Sequence, residues 1–198
     1  TSTHLFHGFF GQRKAVHFLC RIANGSLKLG KPFPHTLLTG GSGLGKTYLS
    51  KALAMELDTG FYPFACSRST TPLELGLAAR EWESHAVVFL DEVHGLRPHM
   101  QEMFYRVMIN GKVPNVIDGA EDKRPKLDGE RSIPPVTIIG ATDRPGDLRN
   151  AFLKRFDHQV SLQPYRISEM IEIVRHAATK ERLVLKPQAA RFLAERCR

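Results

Sequence analysis

The chain has 198 residues, of which 42% are hydrophobic and 24% are charged, and its formal net charge is +8. This length and composition indicate an ordinary globular α/β domain, or such a domain with part of a second one, which we favour. Because no long apolar run is present, we expect a cytoplasmic protein with no membrane partner and no signal peptide. The three cysteines are too widely spaced to indicate a disulfide framework or a Cys-x-x-Cys zinc site.

The basic residues permit a nucleic-acid partner, because a positive surface attracts phosphate groups. They are dispersed and never form a run of five, so a solvated basic surface explains them equally well. The chain begins at Thr1 rather than at methionine, from which we expect a segment of a longer protein.

The first predicted elements surround a glycine-rich loop. Apolar residues recur at helical spacing over 13–24, and Gly25 is predicted to end this helix. The apolar segment 35–39 predicts a short strand before the loop. A second helix is predicted after the loop, because apolar residues recur there at helical spacing at Leu49, Ala52, Leu53 and Leu57.

The loop at 40–47 matches the pattern G-x-x-x-x-G-K-[ST], in which glycines let successive backbone N–H groups turn toward an anion. Since a strand precedes it and a helix follows it, bound phosphate would meet a helix N-terminus. We therefore predict a site for ATP or ADP. Its residues are Gly40, Gly41, Ser42, Gly43, Leu44, Gly45, Lys46, Thr47 and Tyr48.

Strands and helices continue to alternate after the loop. Segment 60–67 predicts a strand, and Thr71, Pro72 and Glu74 form a capping-box pattern for a helix that reaches about Ser84. The fully apolar run 86–90 is typical of a central parallel strand with both faces covered. Pro98 is predicted to begin a helix over 98–110.

Segment 113–135 is dense in charged residues and predicts an exposed excursion such as a hairpin. Two further strands are predicted at 136–141 and 159–162, and helices are predicted after Pro164 and from Pro187. Five strands alternating with helices indicate an α/β fold with a parallel sheet and a ligand at the carboxyl ends of its strands.

Four side chains at the predicted strand and helix ends indicate chemistry at the nucleotide. Lys46 would contact the β- and γ-phosphates, while the hydroxyl of Thr47 and the carboxylate of Asp91 would hold Mg²⁺. Glu92 could then polarise the attacking water. An Asp-Glu pair alone is often only a strand end, but downstream of a phosphate loop it favours nucleotide hydrolysis.

In order and spacing, the phosphate loop, the Asp-Glu strand, the Gly-Ala-Thr strand and the Arg-Phe segment resemble the AAA+ ATPases. Within that superfamily the chain is most similar to the RuvB family of Holliday-junction branch-migration motors. The similar segments span nearly the whole chain: Phe10-Gly11-Gln12, 43–47, Leu90-Asp91-Glu92-Val93-His94, 133–142 and Arg155-Phe156.

This resemblance implies a P-loop NTPase of AAA+ type, with a large nucleotide-binding subdomain at 1–162 and the first, truncated part of a helical lid at 163–198. It implies a ring of identical subunits, a hexamer, that hydrolyses ATP with Mg²⁺ and acts on DNA. Arg155 would be an arginine finger for the neighbouring subunit, or else the cap of a helix C-terminus. Phe9, Phe10 and Tyr165 resemble positions that enclose adenine, although each could equally be core packing.

The chain departs from the family pattern at Asp143, where Asn or Thr usually donates to phosphate or water. An ionised carboxylate only accepts and would repel phosphate, so either hydrolysis is slow or Thr142 takes that role. The charged excursion 113–135 stands where the family has an apolar-tipped hairpin, from which we expect a different protein partner. His94 and His99 have no second ligand cluster, so we predict no metal site there.

These departures leave a second function open. In it the chain is an ATP-dependent switch, loader or protein remodeller with slow hydrolysis and no movement along DNA. The family's second sensor arginine and its winged-helix DNA-binding domain are not among the residues present.

Overall fold

The computed structural model describes residues 6, 9–119 and 124–197. In these ranges the helices are α1 Arg13–Leu29, α2 Lys46–Glu56, α3 Pro72–Ala78, α4 Pro98–Asn110, α5 Asn150–Leu153, α6 Ile167–Lys180 and α7 Pro187–Ala194. The strands are β1 Thr36–Thr39, β2 Phe61–Ala65, β3 Val87–Asp91, β4 Lys112–Asp118, β5 Pro125–Ser132, β6 Thr137–Thr142 and β7 His158–Ser161. Single turns of 3₁₀-helix lie at Val93–Gly95 and Pro145–Asp147.

Five of the described strands form a parallel sheet in the order β2-β3-β6-β1-β7. Side chains of successive strand residues point to opposite faces, so β3 contributes Val88 and Leu90 to one apolar core and Val87 and Phe89 to the other. Helices α3 and α4 cover the first face, and α1 and α2 cover the second. The five-stranded parallel sheet flanked by helices is therefore confirmed.

Helix α1 continues past Gly25, which makes the predicted end wrong. The helix ends at Leu29, followed by Gly30 in the left-handed region with φ of +60°. There the N–H of Gly30 donates to Leu27 and the N–H of Lys31 donates to Ser26, the paired bonds of a Schellman ending. The helical hydrogen bonds of residues 26–29 outweigh the cost of one interior glycine, which is about 1 kcal/mol.

Helix α3 begins as its capping box predicts. The Oγ1 of Thr71 accepts from the N–H of Glu74, and the Glu74 carboxylate accepts from the N–H of Thr71. The helix ends at Ala78, several residues before the predicted end near Ser84. The chain leaves the helix because two tight turns carry Trp82 into the core, where its side chain is 6% exposed.

The charged excursion contains an antiparallel hairpin of β4 and β5, as expected. Strand β4 of the hairpin is held by α3 and the turn after it: the Arg80 guanidinium donates to the Val116 carbonyl at 2.6 Å, and a Cβ added to Gly76 would lie 2.7 Å from the Pro114 carbonyl. Along the described part of β5 the residues are mostly exposed. The charged residues at 121–123 lie outside the described residues.

Within the described ranges, no helix is both long enough and apolar enough to cross a lipid bilayer.

Candidate functional site at the carboxyl edge of the sheet

The phosphate loop joins β1 to α2. Gly43 and Gly45 have φ values of +76° and +87°, a conformation that residues with a side chain rarely adopt. Gly45 is also the N-cap of α2, so the free N–H groups of that helix face the loop. Gly40 packs so closely on Leu162 that an added Cβ would lie 2.7 Å from its carbonyl oxygen. The loop thus has the backbone shape and the helix dipole that anion binding requires.

The charged side chain of Lys46 lies inside this loop, where the residue is only 7% exposed. Its Nζ donates to the carbonyl oxygens of Gly40 at 2.8 Å and Gly41 at 2.9 Å. A buried ammonium group needs such partners, and a phosphate in the loop would give it a stronger, anionic one. The structure therefore places the ammonium group where the nucleotide phosphates are expected.

The ends of three neighbouring strands meet beside the loop. Asp91 ends β3, Thr142 ends β6, and Gly40 directly follows β1. The N–H of Gly40 donates to the carbonyl of Thr142 at 3.1 Å, which ties the loop to the middle strand. Oδ1 of Asp91 accepts from the N–H of Glu92 at 3.1 Å. This edge gathers carboxylate and hydroxyl groups where ligands bind in open parallel sheets.

The two residues predicted to hold Mg²⁺ have suitable donor atoms. Thr47, in the first turn of α2, offers an exposed hydroxyl, and Asp91 offers a half-buried carboxylate. Both are hard oxygen ligands, and Mg²⁺ in phosphate sites usually combines one or two such groups with water and phosphate oxygens. The donor set at this edge fits Mg²⁺.

The imidazole of His94 connects three residues that the sequence predicts to be catalytic. Its Nδ1 lies 3.1 Å from Oγ1 of Thr142, 3.2 Å from Oε2 of Glu92 and 3.5 Å from Oδ1 of Asp143. Sequence reasoning assigned no role to this histidine. Its position two residues after Glu92, in the turn Val93–Gly95, is the only local indication of the contact.

An apolar pocket of about 300 Å³ opens beside the phosphate loop. The four aromatic residues predicted around the nucleotide, Phe9, Phe10, Tyr48 and Tyr165, all line it together with Gly43 and Gly45. The rings of Phe9 and Tyr48 are 5.8 Å apart. A pocket of this size can hold a purine base. Sequence reasoning missed the far wall, which α6 supplies through Met170, Ile173, His176, Ala177 and Lys180.

Tyr165 joins this pocket to the phosphate loop. Its hydroxyl donates to the carbonyl of Leu44 at 3.0 Å, and a Cβ added to Gly45 would lie 3.1 Å from the same hydroxyl. Burial raises the pKa of Tyr165, and the nearby Glu169 acts in the same direction, whereas a side-chain hydrogen bond with Gln12 lowers it. The phenol therefore stays protonated and able to donate.

The segment that carries Phe9 and Phe10 is tied to the connection between β7 and α6. The Nε2 of Gln12 donates to the carbonyl of Gln163 at 2.6 Å, and its Oε1 accepts from the N–H of Gln163 at 3.0 Å. Gly11 lies against the Tyr165 ring, where an added Cβ would come within 2.6 Å. These contacts explain physically why a glycine and a glutamine follow the two aromatic residues.

Arg155 has its described contacts with α4 instead of with these residues. Its guanidinium donates to the Tyr105 hydroxyl at 3.1 Å and stacks 4.8 Å from the centre of the same ring. The side chain is exposed and follows α5 directly. The described contacts of Arg155 thus do not include the phosphate loop of its own chain. Its side chain faces outward instead.

The sequence matches the family described as the Holliday junction DNA helicase RuvB P-loop domain over residues 2–162. It is 31% identical over 195 residues to the Holliday junction branch migration complex subunit RuvB of Helicobacter acinonychis, covering 98% of this chain and 57% of that protein. The corresponding subunit of Campylobacter jejuni subsp. doylei is 30% identical over 194 residues, with the same coverage.

The fold gives the same result. The Thermotoga maritima RuvB Holliday junction branch migration motor superposes with a TM-score of 0.78 and 28% sequence identity, over 95% of this chain and 57% of that one. The chain thus spans somewhat more than half the length of the relatives it matches. Its phosphate loop, the edge with Asp91 and Glu92, and its sheet order all lie within the matched range. The chain belongs to the RuvB P-loop domain family.

Proposed function

We propose that this chain is the ATP-hydrolysing part of a RuvB-type ring motor that acts on DNA. The observation that carries the proposal is the meeting, at one sheet edge, of the phosphate loop, Asp91 and Glu92 in a chain of this family. Relatives are named as subunits of a Holliday junction branch migration complex, and DNA recombination and repair are therefore the expected setting. A cytoplasmic location follows as a prediction from the same setting.

The nucleotide would lie along the described edge. Its base fits the apolar pocket between Phe9, Tyr48 and Tyr165, and its phosphates fit the loop at 40–47. Lys46 would exchange its bonds to the loop carbonyls for bonds to the β- and γ-phosphates. Residues 163–198, which supply α6 and α7, would form the beginning of a lid over the base.

Hydrolysis would use the acidic residues at the end of β3. Thr47 and Asp91 are the residues that would hold Mg²⁺, which neutralises charge on the phosphates when bound. Glu92 would accept a hydrogen bond from the attacking water and orient it toward the γ-phosphorus. Thr142 and Asp143, at the end of β6, both contact His94, which also contacts Glu92. They would therefore lie close enough to sense the same water or phosphate.

A neighbouring subunit would complete the site. Arg155 is exposed and held on Tyr105, outside the contacts of its own phosphate loop. This is the arrangement expected of an arginine finger that stabilises charge on a nucleotide bound by the next subunit. We therefore propose a closed ring, with six subunits as in the family resemblance, and a DNA path that the basic surface favours.

The hairpin of β4 and β5 would be the surface for a protein partner. It is fixed along β4 by contacts with Arg80 and Gly76, while most of its strand residues are exposed. Its charge favours a partner recognised by ion pairs. Ile117 and Leu127 add apolar surface, since these residues are 42% and 49% exposed.

The test of the proposed function is Glu92→Gln. We expect this variant to bind ATP as the wild type does, to retain the triphosphate, and to lose at least about 100-fold in turnover, because the amide cannot accept a proton from water. Glu102→Gln, an exposed position on α4, is the matched control and should leave turnover unchanged. Normal turnover in Glu92→Gln would remove Glu92 from the mechanism.

The DNA part of the proposal has its own test. Steady-state ATP turnover is measured alone and with branched, duplex and single-stranded DNA at fixed salt, because charge-driven binding depends on ionic strength. We expect branched DNA to stimulate turnover most. ATP turnover that is the same with and without each type of DNA would favour a switch, loader or protein remodeller over a DNA motor.

A further inference from the structure

Three oxygen atoms surround one nitrogen atom at the carboxyl edge of the sheet. The Nδ1 of His94 is within 3.5 Å of oxygens from Glu92, Thr142 and Asp143. Two of these oxygens belong to carboxylates, which only accept hydrogen bonds when ionised. The nitrogen between them is therefore most stable when it carries the hydrogen, because an unprotonated nitrogen would place its lone pair against two anions.

A single N–H cannot point at three acceptors at once. Thr142 already has a donor, since its Oγ1 accepts from the N–H of Arg144 at 2.9 Å. Asp143 also has a cationic neighbour, the exposed Arg144 side chain, whose Nε lies 3.7 Å from Oδ1. Glu92 receives the shorter of the two carboxylate contacts from His94, 3.2 Å against 3.5 Å.

We propose that His94 is a positioning residue that holds the Glu92 carboxylate through its Nδ1–H, and that Asp143 competes for the same hydrogen. Oε2 of Glu92 takes the hydrogen bond, and Oε1 is then the oxygen directed at the attacking water. Asp143 thereby controls how firmly the base is oriented. The inference rests on the proposed function, because Glu92 is the base assigned there.

The backbone around Glu92 is built to present these side chains together. Glu92 adopts a left-handed φ of +51°, which costs energy for a residue with a side chain. The turn is closed by the N–H of Gly95, which donates to the Glu92 carbonyl at 2.8 Å. Gly95 is packed on Cys66, so an added Cβ would lie 3.0 Å from the Cys66 carbonyl oxygen. His94 is half-buried, with 18% of its side chain exposed, and is held over the end of β6 by this turn.

The first test determines the tautomer of His94 and does not depend on catalysis. Nitrogen-15 NMR of histidine-labelled protein identifies which ring nitrogen carries the hydrogen, and the signal of His94 is assigned by its loss in His94→Asn. We expect the Nδ1–H tautomer in the wild type. An Nε2–H tautomer would overturn the proposal, whether or not the chain hydrolyses ATP. Conversely, absent hydrolysis with an Nδ1–H tautomer would count against the proposed function alone.

The second test compares two amides of different length. The Asn amide nitrogen can stand where Nδ1 stands, whereas the Gln amide reaches the Nε2 position. We expect His94→Asn to keep kcat within about threefold, and His94→Gln and His94→Ala to lower kcat by about tenfold or more at nearly unchanged KM. His99→Ala, an exposed histidine of α4, is the control and should change neither constant. Equal loss in the Asn and Gln variants would contradict donation through Nδ1.

The third test asks whether His94 and Asp143 act as a unit. Asp143→Asn removes the competing carboxylate, so we expect it to raise kcat severalfold when His94 is present. In the His94→Ala background the same change should raise kcat by a clearly smaller factor, because it then relieves only the repulsion between Asp143 and phosphate and no shared hydrogen remains. The same factor in both backgrounds, or a decrease with His94 present, would overturn the competition between Glu92 and Asp143.

Discussion

The hydroxyl of Tyr165 donates a 3.0 Å hydrogen bond to the backbone carbonyl of Leu44, which lies 121 positions earlier in the phosphate loop. The same ring lines the apolar pocket and contacts Gly11. One side chain therefore connects the loop, the pocket and the N-terminal segment, and the loop's shape depends on residues that follow the sheet.

Tyr165→Phe is expected to weaken nucleotide binding by roughly threefold to tenfold. The loss of one partly buried hydrogen bond costs about 0.5–1.5 kcal/mol, and the Leu44 carbonyl loses its partner while the ring stays in place. Titration with a fluorescent ADP analogue measures the change. Tyr62→Phe, on the edge strand β2, is the matched control. Equal affinity in Tyr165→Phe and the wild type would show that the bond does not shape the loop.

Arg155→Ala and Glu92→Gln should each be inactive alone and active when mixed. If Arg155 acts on the neighbouring subunit, a mixed ring contains sites with an intact Glu92 beside an intact Arg155. Random mixing in equal amounts makes about a quarter of the sites complete, because each half of the site is present with even probability. Turnover of the mixture measures this. A mixture as inactive as its components would argue against action between subunits, and Lys154→Ala serves as the charge-matched control.

Gly25→Ala and Gly30→Ala should change stability in opposite directions. Both glycines face open space, since no atom lies within 4 Å of an added Cβ, but only Gly30 has a positive φ, +60°. Alanine at 25 should stabilise α1 by about 0.5–1 kcal/mol through its helix propensity. Alanine at 30 should destabilise by about 1–2 kcal/mol because it strains the left-handed ending. Urea unfolding of the three proteins gives the difference, and equal shifts would contradict the helix boundary.

Gly76→Ala should loosen the hairpin from α3. The new methyl group would lie 2.7 Å from the Pro114 carbonyl and 2.5 Å from a Val116 methyl, so the strand has to move. We expect a loss of about 1–3 kcal/mol in the free energy of unfolding, as for other overpacked positions. Gly146→Ala, whose added Cβ meets no atom within 4 Å, should cost much less. Similar losses in both variants would contradict tight packing at Gly76.

The sheet was predictable because each of its strands has a recognisable pattern within a short stretch of sequence. Segments such as 86–90 are wholly apolar, as required of a strand covered on both faces. Helix ends were less predictable: Gly25 and Gly30 are both acceptable terminators, and only the hydrogen bonds at Ser26 and Leu27 decide between them. Trp82 ends α3 early by entering the core, a tertiary effect that no local pattern contains.

The candidate site likewise has a part that the sequence could predict and a part that it could not. The loop at 40–47 and the pair Asp91 and Glu92 are contiguous in sequence, so their pattern indicates their chemistry. The contact between His94 and Thr142 spans 48 positions, and it exists only because β3 and β6 are neighbours. The pocket wall of α6, with Met170 and Ile173, has the apolar spacing of any amphipathic helix, so its role could not be separated from ordinary packing.

The paired hydrogen bonds between Gln12 and Gln163 have a consequence for synthesis of the chain. They join positions 151 residues apart, and the pocket also needs α6, which ends at Lys180. On the ribosome the residues of the phosphate loop emerge early, but the nascent chain has no enclosed base pocket until α6 has emerged. Contacts of such long sequence separation form late. We therefore expect tight nucleotide capture to begin only when α6 has folded against the phosphate loop.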